Sequence, residues 1–249
     1  MNLHGNTIFM TGGTSGIGLG LALRLRDRGN RVIISGRRQH LLDQLAARHD
    51  GIETVVLDVQ DPESIRSVVD SVTREHPDLN VVITMAGIMQ PENLLDPGHL
   101  AIAEATVATN LLGPIRTLTP LIPFLARQEQ AAIITVSSGL AFVPLPATPT
   151  YDATKAAMHS YTESLRVQLA DTSIQVIELV PPAVRTTLNG QQDSERAMPL
   201  EDFLSETMRL LQEQPDAKEI LVDRVKPLRF ATRDGHYDQL LTAMSTRTS

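Results

Sequence analysis

Between residue 6 and about residue 180, short β-branched apolar runs alternate with longer amphipathic stretches. No other feature of the chain restricts its fold as much. Parallel strands cannot be joined by tight turns, so each needs a crossover, and a helix is the usual one. Strands are expected at 7–11, 31–35, 53–58, 81–85, 132–137 and 174–180, and helices near 17–29, 39–49, 62–75, 97–127, 149–171 and 200–214. Strands that read as near-continuous apolar runs are buried on both faces. The prediction is an α/β fold with a doubly wound parallel sheet of six or seven strands and helices on both faces. A chain of 249 residues suits one such domain, expected to span 1–249.

Prolines mark several boundaries. Asp61-Pro62, Asp96-Pro97 and Thr148-Pro149 each set a short polar acceptor before a proline, the order of an N-cap and the first helical residue. Pro114, Pro120 and Pro123 fall inside 97–127. They predict a kink there, since proline removes a backbone donor and crowds the preceding turn. The polar stretch 189–198 contains Gly190 and precedes apolar residues at 203, 204, 208 and 211, which reads as a mobile substrate loop or lid over 187–214. The remainder, 215–249, is atypical. Within it, 219–225 is a candidate strand, and 235–244 a short helix burying Tyr237, Leu240, Leu241 and Met244.

Composition narrows the setting. No apolar run approaches eighteen residues, so no membrane span is expected. A net charge of −7 argues against general affinity for nucleic acid. The absence of Cys excludes disulfides and thiolate chemistry. No leader pattern opens the chain. A cytoplasmic protein with a small-molecule partner, and with no metal, is the expectation.

Two constellations carry chemistry. Tyr151 and Lys155 lie four residues apart on an expected helix, hence on one face. A nearby ammonium favours the phenolate and is expected to draw the tyrosine pKa down toward neutrality. With three Tyr and three Lys in the chain, chance supplies such a spacing only about 4% of the time. At the other end, strand 7–11 runs into Thr11-Gly12-Gly13-Thr14-Ser15-Gly16-Ile17-Gly18 and then a helix. Such glycines let the chain turn tightly and bring backbone N–H groups to a pyrophosphate at the helix N-terminus, as in a Rossmann-type dinucleotide site. The second strand ends Ser35-Gly36-Arg37-Arg38. With Gly36 in place of a ribose-binding acid and arginine following, NADP(H) is favoured over NAD(H). Asp58, with Val59 after it, ends the third strand near the adenine.

Together these residues resemble the short-chain dehydrogenase/reductase family over 5–188. The loop matches T-G-x-x-x-G-x-G, and Tyr151/Lys155 match Y-x-x-x-K, with Ser138 thirteen residues earlier. Asn110 matches the helical active-site asparagine. The resemblance implies that Tyr151 exchanges a proton with the substrate oxygen while the nicotinamide exchanges hydride with the carbon. Ser138 would bind that oxygen, Lys155 would lower the Tyr151 pKa and bind the nicotinamide ribose, and Asn110 would hold a relay water. Ala86-Gly87 retains the small pair that admits the cofactor, but Met85 replaces a bracing amide. Pro181-Pro182-Ala183-Val184-Arg185-Thr186 departs only by Pro182 for glycine, with Val184 and Thr186 expected at the carboxamide. A homodimer or homotetramer is implied.

Met89, Leu140, Phe142, Val143, Pro182 and Leu188 are expected to line the substrate side. An apolar carbonyl or secondary alcohol follows, although Arg185 keeps an anionic group open. The alternatives are a non-catalytic nucleotide-binding or sensing module on the same fold, and an epimerase or dehydratase that retains its cofactor.

Overall fold

The alternation of strands and helices is present as the periodicity predicts. The computed structural model describes residues 1–246. In chain order the elements are β1 (Thr7–Thr11), α1 (Gly16–Asp27), β2 (Arg31–Gly36), α2 (Gln39–Arg48), β3 (Ile52–Val56), α3 (Pro62–Glu75), β4 (Leu79–Thr84), α4 (His99–Val107), α5 (Gly113–Leu125), β5 (Ala131–Val136), α6 (Pro149–Gln168), β6 (Ile174–Leu179), α7 (Leu200–Glu213), β7 (Glu219–Ile220), α8 (Lys226–Arg229) and α9 (Tyr237–Ser245). The seven strands are parallel, in the order β3-β2-β1-β4-β5-β6-β7. The order reverses between β1 and β4, where a doubly wound sheet opens its crevice.

Successive strand residues face opposite ways, so one run of apolar residues feeds two cores. Ile8, Met10, Val32, Ile34, Val81 and Ile83 pack with α1, α2 and α7 on one face. Phe9, Ile33, Val82 and Ile133 pack with α3 and α5 on the other. A third, smaller cluster of Val143, Ala231 and Met244 gathers Tyr237, Leu240 and Leu241 around it, the buried side expected for the last helix.

Three expectations are refined. The stretch 97–127 does not break at its prolines but passes from α4 to α5 through a π-helical turn, Ala108–Leu112. Pro114 lacks the N–H that would complete an α-turn to the Asn110 carbonyl, and the wider turn takes up that defect. Pro120 and Pro123 lie on the exposed side of α5, where water can reach the carbonyls they leave unpaired. The candidate strand 219–225 shortens to the two residues of β7, because Asp223–Val225 turns into a 3-10 helix. Finally, α7 belongs to the core, since Phe203, Leu204, Met208 and Leu211 are buried. A Cβ on Gly20 of α1 would come within 2.3 Å of Leu204 Cδ1, so glycine there is what lets the two helices meet. Ala197 and Met198 are buried as well, so within 187–214 it is 187–196 that carries no residue of the interior.

Leu204→Ala should remove about 2–5 kcal/mol of unfolding free energy, the range for a fully buried leucine. Urea unfolding measures this, and a loss under about 1 kcal/mol would mean that α7 is not anchored in the core.

Candidate active site

A cleft of ≈ 1190 Å³ opens at the carboxyl ends of the strands. Its cofactor wall is built by the glycine loop. Gly12 and Gly13 both donate their N–H to the Ser35 carbonyl, at 3.0 and 3.2 Å, locking the loop to β2. Gly12 has φ +71°, and a Cβ there would lie 2.6 Å from Ala86 Cα. A Cβ on Gly18 would lie 2.3 Å from the Gly12 carbonyl oxygen. Neither position admits a larger residue. The N-cap Ser15 makes no side-chain bond to the first turn of α1, and that turn contains no acid. The leading N–H groups of the helix are thus left for an anion, which fits the pyrophosphate of a dinucleotide.

The adenosine end follows the same logic. A Cβ on Gly36 would lie 2.6 Å from Thr14 Cγ2, so the loop itself fills the place where a ribose-binding acid would stand. Arg37 and Arg38 lie exposed on the rim, with no ion pair among the described residues. Asp58 and Val59 line the adjoining wall, and Asp58 Oδ1 accepts from Gln60 N at 2.9 Å. Met85, in place of the bracing amide, sets its Cγ against Gly18, while the Thr11 hydroxyl accepts from Ala86 N at 3.2 Å and ties β1 to β4. Val184 forms an isolated bridge with Met198, and Thr186 sits beside Gly16, so both reach the cleft.

Helix α6 brings Tyr151 and Lys155 into the cleft wall as expected. Its N-terminus is not capped by the Thr148 side chain. Glu92, from the loop after β4, accepts from Thr150 N at 2.9 Å and from its hydroxyl at 2.7 Å. Asp152 accepts from Leu145 N at 2.8 Å and from the Thr148 hydroxyl at 3.3 Å, holding the loop that lines the substrate end. Burial pushes the Asp152 carboxyl up to about 7. Asn110 Oδ1 accepts from Ile88 N and its Nδ2 donates to Ile88 O, both at 2.8 Å, with Thr154 Oγ1 at 3.3 Å. Its side chain therefore staples the loop after β4 to α6. Ser138 Oγ accepts from Leu140 N at 3.1 Å.

The electrostatics differ from the sequence expectation. Burial pushes the Tyr151 phenol up to about 12, partly offset by its hydrogen bond with Ser138. Desolvation of the phenolate outweighs any help from Lys155, whose Nζ lies 5.5 Å from the Tyr151 ring centroid. Burial also draws the Lys155 ammonium down to about 8, while Glu178 acts against that shift. Lys155 Nζ donates to the Val136 carbonyl at 2.9 Å, which fixes the side chain across the end of β5.

On the substrate side, Met89, Leu140, Pro182 and Leu188 line the cleft. Phe142 and Val143 do not. The 3-10 turn Gly139–Ala141 carries the chain away from the opening. Phe142 then meets His159 edge-on, and Val143 is sealed in the C-terminal cluster. Leu145, Ala147, Leu228, Leu240 and Met244 take their place. Sequence reasoning missed these because three of them come from the tail. It also missed Glu92, His159 and Glu178, although an acid amid the apolar residues of β6 and a histidine one turn beyond Lys155 were visible signals.

The short chain dehydrogenase family model matches residues 6–197. An uncharacterized oxidoreductase, DltE of Bacillus subtilis, is 39% identical over 252 residues, covering 99% of each chain. A crystal structure of a short chain dehydrogenase from Burkholderia cenocepacia in complex with NADP aligns with TM-score 0.84 at 24% identity, over 97% of this chain and 99% of that one. A 3-ketoacyl-(acyl-carrier-protein) reductase from Brucella melitensis complexed with NADH aligns with TM-score 0.76 at 24% identity, over 86% and 93%. Fold, nucleotide cleft and relatives agree that this chain belongs to the short-chain dehydrogenase/reductase family, oxidoreductases that use a nicotinamide cofactor on a CH–OH or C=O group.

Proposed function

We propose that the chain is an NADP(H)-dependent carbonyl reductase or alcohol dehydrogenase with Tyr151 as general acid–base. The observation that carries this reading is the buried Tyr151 phenol, hydrogen-bonded with Ser138 and one turn from the buried Lys155 side chain, in the wall of a cleft that also holds the α1 N-terminus. NADP(H), when bound, supplies or accepts the hydride. Ser138 donates its hydroxyl proton in a hydrogen bond to the substrate oxygen and stabilises the charge that grows there. In reduction, the Tyr151 O–H gives its proton to that oxygen as the carbon becomes an alcohol, and in oxidation the phenolate takes it back. Lys155, held on the Val136 carbonyl, offsets the charge left on the phenolate. The Asn110 carbonyl, which gets no N–H from Pro114, is the proposed seat of the relay water.

The apolar wall of Met89, Leu140, Pro182, Leu188 and Leu228 supports an apolar ketone, aldehyde or secondary alcohol as substrate, with 187–196 as the lid. Arg37, beside Gly36 and without an ion pair among the described residues, supports recognition of the NADP 2′-phosphate. Leu94, Leu95 and Leu100, exposed beside α4, support pairing of subunits there as a homodimer. Among the described residues no helix is long and apolar enough to cross a membrane.

Tyr151→Phe is expected to lower kcat for carbonyl reduction by about 10²- to 10⁴-fold, the usual worth of a positioned proton donor. Undiminished NADPH oxidation by that variant would sink the assignment. Arg37→Ala should reduce the preference for NADPH over NADH by roughly tenfold, the loss of a charge-assisted hydrogen bond; an unchanged ratio of the two KM values would remove Arg37 from the site. The ammonium of Lys155 is the working form and is lost as pH rises through about 8. Reduction should therefore decline along an alkaline limb near that pH, whereas Tyr151 keeps its proton until much higher pH. A kcat profile that stays flat well above that limb would contradict this role.

A further inference from the structure

Glu178 is the penultimate residue of β6, near its carboxyl end, with none of its surface exposed. A lone carboxylate there would be strongly destabilised, so its neighbours must hold it. His159 of α6 places Nδ1 at 2.8 and 3.1 Å from its two oxygens. Around that imidazole, Glu163 Oε1 of α6 lies 3.9 Å from Nε2, and Glu219 Oε1 of β7 lies 4.0 Å from Nδ1. Arg229 of α8 grips Glu219 through both oxygens, at 2.8 and 3.1 Å. Its guanidinium also lies 4.5 Å from the Phe142 ring centroid, and that ring meets His159 at 4.8 Å. His159, Glu178 and Glu219 bring their donor atoms within 4.8 Å of one another, but Arg229 and His159 already satisfy the two acids. The cluster is an ion-pair network rather than a cation site.

The other end of this network is the catalytic helix. Lys155 and His159 lie four residues apart on one face of α6. Glu178 is registered opposite Thr135 and next to Val136, whose carbonyl receives Lys155 Nζ. Thr135 faces the same helix, since its hydroxyl lies 2.7 Å from that of Thr162. We propose, building on the reaction assigned above, that Glu178 is a positioning residue. Seated by His159 and backed by Glu219 and Arg229, its carboxylate holds Lys155 as an ammonium against the Val136 carbonyl. The charges then alternate from the active site to the C-terminal segment, as Lys155, Glu178, His159, Glu219 and Arg229. Glu178 works against the burial that depresses Lys155, and its hydrogen bond raises the pKa of His159.

Glu178→Gln keeps the shape and deletes the charge. Lys155 then sheds its proton at lower pH, so the alkaline limb of kcat is expected to move down by about one pH unit, with the KM for the carbonyl little changed. Glu178→Asp, which restores the charge, should return most of that shift. Competitive acetylation of the whole protein, read at Lys155 by mass spectrometry, follows the same ionisation without turnover, with Lys218 and Lys226 as internal references. Its midpoint should fall with the kcat limb in Glu178→Gln. If Glu178→Gln does not fold, the pair Glu178→Met with His159→Leu replaces the buried ions by apolar bulk and should give the same displacement. A Lys155 midpoint that stays in place in the uncharged variant, whatever happens to the melting temperature, overturns the proposal and leaves Glu178 a purely structural group. A displaced midpoint in a protein that reduces no carbonyl with either nucleotide upholds the link from Glu178 to Lys155 and overturns the reaction instead.

Discussion

A parallel sheet covered on both faces has little freedom in where it can meet a ligand. Its side chains are committed alternately to two cores, and its backbone is committed to neighbouring strands. What remains is the row of strand ends. Here the order reverses between β1 and β4, so their outgoing loops part, and the crevice between them receives groups from both halves of the chain. The glycine loop, the Ala86-Gly87 pair, Ser138 and the start of α6 meet there because each follows the carboxyl end of a strand. Even the bond from Lys155 to Val136 uses a carbonyl at the edge of β5, just beyond the residues paired to β4.

That dependence explains which features could be read from the chain. Strand and helix ends, β7 and the interior of 97–127 aside, came through to within about three residues because their signals are local. β-Branched runs, helical periodicity and the Asp61 cap, which accepts from Glu63 N at 2.9 Å, act within a few residues. Gly12, Gly18, Tyr151 and Lys155 were legible for the same reason. The misses involve partners distant in sequence. Thr148 looked like the cap of α6, yet Glu92 reaches it from 58 residues away. Phe142 and Val143 looked like substrate contacts until the tail returned to cover them. β7 could not be bounded from sequence, since two residues of strand carry almost no pattern and are fixed by pairing with β6.

The sign of the Tyr151 perturbation teaches a related point. Spacing along a helix indicates that an ammonium is near a phenol, but not how much water either retains. Both groups are almost completely buried, and desolvation penalises each charged form before their attraction is counted. The result is a phenol that keeps its proton well above neutrality, as the proposed acid would need. It also makes the environment of Lys155 important, because an ammonium withdrawn from water depends on whatever counter-charge the fold provides.

The contact between Thr14 and Gly36 has a consequence for how such a site could be altered. The nucleotide-binding half is assembled from β2 and the loop after β1, whose small residues interlock, so Gly36 at the end of β2 cannot gain a side chain while the Thr14 methyl group stays in place. An acid introduced at Gly36 would thus have to be matched by a change at Thr14. What that position can carry is a pairwise trait, settled by a steric contact with the glycine loop.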